Sequence, residues 1–181
     1  MARPARPRRP AFTLIEVLAV LAVMIIVAAV LIPSLAGFRG DTRQRAAADV
    51  IRAELASARA RAKDEGRPYR VALHESRTRI RRAPDDTNFS SAAASSTPGG
   101  SAMAVDYTFE HVTAELVSEA DAPVPDAIDG WVTLANVQPD GSCLQSAALV
   151  AVKQDEEGGV YLRLRGLTCT LRTVPKPAGA R

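Results

Sequence analysis

Ala11-Phe12-Thr13-Leu14-Ile15-Glu16-Val17-Leu18 opens a stretch that reads FTLIEVLAVLAVMIIVAAVLIPSL from Phe12 to Leu35. Those 24 residues carry a single charge, Glu16, and 17–32 is apolar without a break. A helix needs about 20 mainly apolar residues to cross a bilayer core, so a transmembrane helix is expected over 12–35. The eleven residues before it, MARPARPRRPA, hold four arginines and no acid. Basic flanks stay on the cytoplasmic side. The expected topology is one pass through a membrane, with the N-terminus in the cytoplasm and the C-terminal bulk on the other side.

Three readings compete for this segment. A secretory signal peptide would be cut after the small residues Ser34-Leu35-Ala36, to start at Gly37, and would release a soluble exported protein. A plain anchor would simply stay in the bilayer. A third possibility is a short leader removed before Phe12. Glu16 separates them. A carboxylate in a membrane helix costs about 2.5–3.5 kcal/mol at the bilayer centre and less near its edge. Neither a signal peptide nor a plain anchor gains from that cost. Cleavage before Phe12 creates a free amine, and Glu16 lies four residues on, along the same helical face. The carboxylate can then meet an N-terminal amine, its own or a neighbour's, while helices pack in an apolar filament core.

The octapeptide Ala11 to Leu18 resembles the prepilin peptidase recognition sequence of type IV pilins and type II secretion pseudopilins. The resemblance implies that a prepilin peptidase/methyltransferase removes leader 1–11 between Ala11 and Phe12. It also implies that the new amine of Phe12 is methylated and that Glu16 is the assembly carboxylate. Pro33 matches a helix-kinking proline of many pilins. One position departs from the pattern: the family usually has glycine before the cut, where this chain has Ala11.

The helix is expected to continue past the membrane over 36–66. Val50, Ile51, Leu55, Ala58 and Ala62 recur at three- and four-residue steps, with Arg43, Arg45, Arg52, Arg59 and Arg61 mostly on the other positions. Gly66 and Pro68 mark its end, and Pro33 with Gly37 and Gly40 loosens its middle. Beyond Pro68 the apolar period changes to two. Strands are expected at 69–74, 77–82, 105–112, 131–134, 147–152, 160–164 and 167–174. The stretch 84–101, rich in Ser, Ala, Pro and Gly, reads as a mobile loop. Pro139-Asp140-Gly141-Ser142 is a turn whose glycine supplies the unusual backbone angle. The expected fold is α+β and pilin-like, a long N-terminal helix on an antiparallel sheet or small sandwich spanning 67–174, with a frayed tail at 175–181.

The order of these pieces, with Val137-Gln138-Pro139-Asp140-Gly141-Ser142 and Gly166-Leu167-Thr168, is similar to the minor pseudopilin H of type II secretion and to related minor pilins. That likeness implies other minor and major pseudopilins, an inner-membrane assembly platform and membrane lipid as partners. Two alternatives remain: a minor type IV pilin for pilus assembly or DNA uptake, and the exported soluble protein.

The head adds little chemistry of its own. The formal charge is +3, yet four of its 23 Lys and Arg lie in the leader and none of its 20 acids does. Without the leader the charge turns slightly negative, so nucleic acid is not an expected partner. Arg77, Arg79 and Arg81 alternate on one face of the strand expected there. Phosphate contact competes with a solvated edge strand guarded by charge. His74 and His111 read as ordinary strand residues. No cofactor, metal or catalytic cluster is expected, and the chain reads as the substrate of an enzyme rather than as one. Cys143 and Cys169, each placed in or entering a closing strand, allow a disulfide worth about 3 kcal/mol. Two buried free thiols are the competing reading.

Overall fold

The computed structural model describes residues 14–99, 102–117, 125–144, 148–154 and 158–177, without the side chains of 30–41. One helix, α1 (Leu14–Glu65), precedes eight strands: β1 (Tyr69–His74), β2 (Arg79–Pro84), β3 (Val105–Thr108), β4 (Thr113–Val117), β5 (Trp131–Val137), β6 (Leu149–Lys153), β7 (Gly159–Arg165) and β8 (Thr170–Val174). The architecture is α+β and consistent with a pilin-like fold. The chain forms two compact units, Met1–Arg39 and Gly40–Arg181.

In the second unit, α1 buries Ala47, Ala48, Ile51, Leu55, Ala58 and Ala62. Steps of three and four keep these side chains on one stripe. Four of the six are alanines, which let the helix backbone approach the sheets closely. Val50 lies beside the stripe and is half-buried. The helix ends where Gly66 takes φ +65°, a left-handed angle that glycine adopts without a Cβ penalty.

Two four-stranded antiparallel sheets follow, in the orders β3-β2-β1-β5 and β4-β6-β7-β8. Tyr69, Val71 and Leu73 of β1 face the helix with Ile80, Leu134 and Val137, and Val150, Val152, Leu162, Leu164 and Leu171 join the same core from the second sheet. A β-bulge between Val71 and Ala72 shifts the β1–β5 register.

The strand expected at 105–112 ends at Thr108, and β4, at Thr113–Val117, was not expected. Phe109–Val112 leaves the first sheet, His111 takes φ +58°, and β4 enters the second sheet beside β6. His111 is therefore a corner residue and not a strand residue. Sheet switching of this kind is invisible to a period-two pattern, which continues on either side of the corner.

The stretch expected to be a mobile loop at 84–101 is docked over its described part. Asp85 N donates to Pro68 O at 3.0 Å, and Asp106 N donates to Ser95 O at 2.9 Å. Phe89, 2% exposed, packs with Ala72, Ala83, Ala104 and Trp131 in a small second core on the outer face of the first sheet. One large aromatic in a serine- and alanine-rich run supplies the anchor. Composition alone does not reveal where it lands.

Candidate assembly site

Glu16 stands in the first turn of α1, and its side chain is exposed. Eleven large apolar side chains surround and follow it from Leu14 to Val27, between 49% and 80% exposed. An apolar stripe on a globular helix covers one side, whereas a helix apolar all round is made to be buried by something else. Each of these side chains gains on the order of 1 kcal/mol or more on burial. Together they outweigh the few kcal/mol needed to desolvate one carboxylate near a helix end. Among the described residues, no helix is long and apolar enough to cross a membrane.

Residues 6–32 match the family model of the prokaryotic N-terminal methylation motif. This match supports a type IV pilin-like protein. It implies processing by a prepilin peptidase and pilin-like assembly. No curated protein and no solved structure matches the chain. Ala11 and Phe12, on which the cleavage and methylation expectations rest, lie outside the described residues. Pro33 falls inside α1, which is recorded as continuous helix through that position.

The head of this pilin-like chain places its other candidate residues differently from the sequence reading. Cys143 and Cys169 are joined as a disulfide across 26 residues, with Cα atoms 5.2 Å apart. Neither cysteine is in a strand. Cys143 follows the Pro139–Ser142 turn and makes a lone bridge with Val137. Cys169 sits at φ +46° in the turn before β8. The bond thus ties two turns at one end of the head. Cys143 N donates to Gly166 O at 2.8 Å, so the backbones meet there as well.

The arginine row is also corrected. β2 begins at Arg79, not Arg77, and lies between β3 and β1, so it is no edge strand. Arg77 occupies the β1–β2 turn at φ +61° and pairs with Glu115 at 2.7 Å. Arg79 reaches Asp106 at 4.0 Å. Arg81 Nη2 donates to Asp106 at 3.0 Å, and its Nη1 donates to the carbonyls of Phe89 and Ser90 at 2.9 and 2.6 Å. Arg79 and Arg81 both lie over the Trp131 ring, 5.5 and 4.9 Å from its centroid. Arg81 holds the docked loop to the outer face of the sheet, and the three arginines share two carboxylates, Glu115 and Asp106. Arg81 is nearly buried, so the three arginines do not form one solvated face.

Sequence reading missed one residue entirely, Glu54. It is 1% exposed in the middle of the buried helical stripe, and its Oε2 accepts from Arg82 Nε of β2 at 2.8 Å. Its Oε1 accepts the backbone N–H of Gly99 at 2.5 Å. A signal was present: Glu54 falls three residues after Ile51 and four before Ala58, on the apolar face. A charge at that register demands a buried cation, and Arg82, an inward-facing position of β2, supplies it.

Two exposed carboxylates are shifted. Burial works against ionisation of Glu65, yet hydrogen bonds from the Tyr69 hydroxyl, Arg67 and Arg61 prevail and hold its carboxyl below the usual value. The Ser142 hydroxyl and backbone N–H lower Asp140 in the Pro139–Ser142 turn.

Proposed function

We propose that this chain is a minor pseudopilin of a type II secretion system, made with leader 1–11 and held by a transmembrane segment at 12–35 until assembly. Prepilin peptidase cuts between Ala11 and Phe12 and methylates the Phe12 amine. The head lies in the periplasm. The subunit then joins other minor and major pseudopilins, primes a short fibre above an inner-membrane assembly platform, and supports protein export. Its role is mechanical, as a structural subunit and a peptidase substrate rather than an enzyme.

The observation that carries this reading is Glu16: one acid in the first turn of a helix whose large neighbours are all apolar and exposed. In a lipid or filament core a carboxylate is costly unless it meets a cation. A freshly exposed amine four residues before it, or on the adjacent subunit, is such a cation. The apolar helix supplies most of the association free energy, and the carboxylate–amine pair sets the axial register of one helix against the next. The head supports the pseudopilin H likeness through its early β1–β2 hairpin and the closing β6-β7-β8 meander.

Mass spectrometry of the native N-terminus tests the proposal. A methylated Phe12 is the expected start. A mature chain beginning at Gly37 identifies an exported soluble protein and ends the pseudopilin reading.

A further inference from the structure

The described part of the second unit holds a groove of about 410 Å³ between α1 and β8, lined chiefly by Arg52, Leu55, Arg59, Lys63, Thr170 and Leu171, with Cys169 at one end. No acidic side chain lines it. Arg52 is engaged, donating to Asp49 at 2.6 Å and to Thr173 Oγ1 at 2.5 Å. Arg59 and Lys63 are four residues apart on one helix face, a like-charge spacing that is destabilising by itself. Arg59 Nε is buried with no hydrogen-bond partner among the described residues. Lys63 is exposed and lies near the charge of Asp140 at the rim. Gly141 leaves the space that these two cations use, because a Cβ there would strike Lys63 and sit 3.1 Å from Arg59 Nε.

The backbone beside the cations is open too. β8 is an end strand of its sheet. The edge strands β3 and β5 of the other sheet carry extra bridges, Ser95 to Val105 and Cys143 to Val137, whereas no such bridge falls on β8 among the described residues. An unpaired strand edge is a template for another strand.

We infer that this groove is a docking site for an extended acidic segment of another protein, which adds to β8 as a strand and sets a carboxylate between Arg59 and Lys63. Charge complementarity selects the occupant. The groove offers two cations, one with a buried unpartnered Nε, an apolar floor of Leu55 and Leu171, and, among the described residues, an unbridged strand edge on one side. A peptide alternating apolar and acidic residues satisfies all three at once, with apolar side chains on the floor and carboxylates on the cations. A purely apolar strand would cover Arg59 without supplying a partner for its buried Nε. The inference does not depend on leader processing, because no groove residue belongs to the first unit.

The test uses the full chain in detergent micelles and three fluorescent hexapeptides. The first alternates valine and glutamate, the second replaces glutamate with glutamine, and the third is the first with alternate backbone nitrogens methylated. The expected result is binding of the first peptide, with amide shifts centred on 170–174. The glutamine and N-methylated peptides bind at least about tenfold more weakly. An Arg59→Gln/Lys63→Gln chain loses the same factor for the glutamate peptide. Lys63→Gln alone, at the groove mouth, gives a smaller loss in a chain of unchanged thermal midpoint. No binding of the first peptide, equal binding of the glutamine or N-methylated peptide, or unchanged affinity in the double variant overturns the inference. Each of these outcomes leaves the Phe12 experiment untouched, so the two proposals fail separately.

Discussion

The helix α1 carries two glutamates in opposite circumstances. Glu16, near its start, is exposed among apolar neighbours. Glu54, near its end, is 1% exposed and held by Arg82 and the Gly99 backbone. Both sit where a hydrophobic pattern would place an apolar residue. The head supplies the cation for Glu54 from its own sheet. In the proposed assembly, the amine of Phe12 supplies the cation for Glu16, either within the chain or across a subunit contact. On that proposal, one helix uses a misplaced acid twice, once to specify how a domain packs and once to specify how subunits meet.

The largest expected effect breaks the first half of that comparison. Glu16→Ala should abolish incorporation into fibres and reduce export to background, while the thermal midpoint of the head stays the same. Fractionation of sheared fibres and a secretion assay measure it. Incorporation at wild-type level would remove the intermolecular role of Glu16.

The second half is broken by removing one member of the buried pair. Glu54→Ala or Arg82→Ala should each cost about 3–5 kcal/mol, because the remaining charge is left buried and unpaired. Urea unfolding of the two variants and of the double change Glu54→Leu/Arg82→Met measures this. The double change should recover most of the loss, which a merely cavity-forming defect would not do.

Replacing Cys143 and Cys169 with serine should cost about 2–4 kcal/mol, read from the same unfolding curves under oxidising conditions. Gly141→Ala should cost about 1–2 kcal/mol, since φ +87° is a left-handed angle, and it should also displace Lys63. A crystal structure or the Lys63 side-chain resonances would show that movement.

The smallest effect concerns acid. The Glu65 carboxyl is held below its unfolded value. Its contribution to stability is therefore complete above the unfolded value and is lost as pH falls through the lower folded one. Tyr69→Phe should flatten the acid limb of the unfolding midpoint, measured from about pH 6 to about pH 3. An unchanged slope would mean that the Tyr69 hydroxyl does not act on Glu65.

Much of the fold is legible in the sequence. The helix stop at Gly66, the alternation of Tyr69, Val71 and Leu73, and the Pro139–Ser142 turn with Gly141 at positive φ all follow from local chemistry. The methylation motif is legible for the same reason, being one contiguous run of residues. The two-sheet division was not legible, because Phe109–Val112 carries the chain from one sheet to the other without a turn signal. The docked loop was not legible either, because Phe89 finds its pocket among Ala72, Ala83, Ala104 and Trp131 only after the sheet exists.

Sequence alone thus determined the apolar N-terminal helix with its single acid, the amphipathic continuation, most strands but not β4, and the turn chemistry, since each depends on residues close along the chain. Tertiary structure alone decided that Arg82 belongs to Glu54, that Arg79 and Arg81 share Asp106 and Trp131, and that Cys143 meets Cys169 between two turns. It also decided that Arg59 and Lys63 line an open groove beside β8. Those pairings join residues tens of positions apart, and periodicity states which face a side chain takes but not which distant strand comes to cover it.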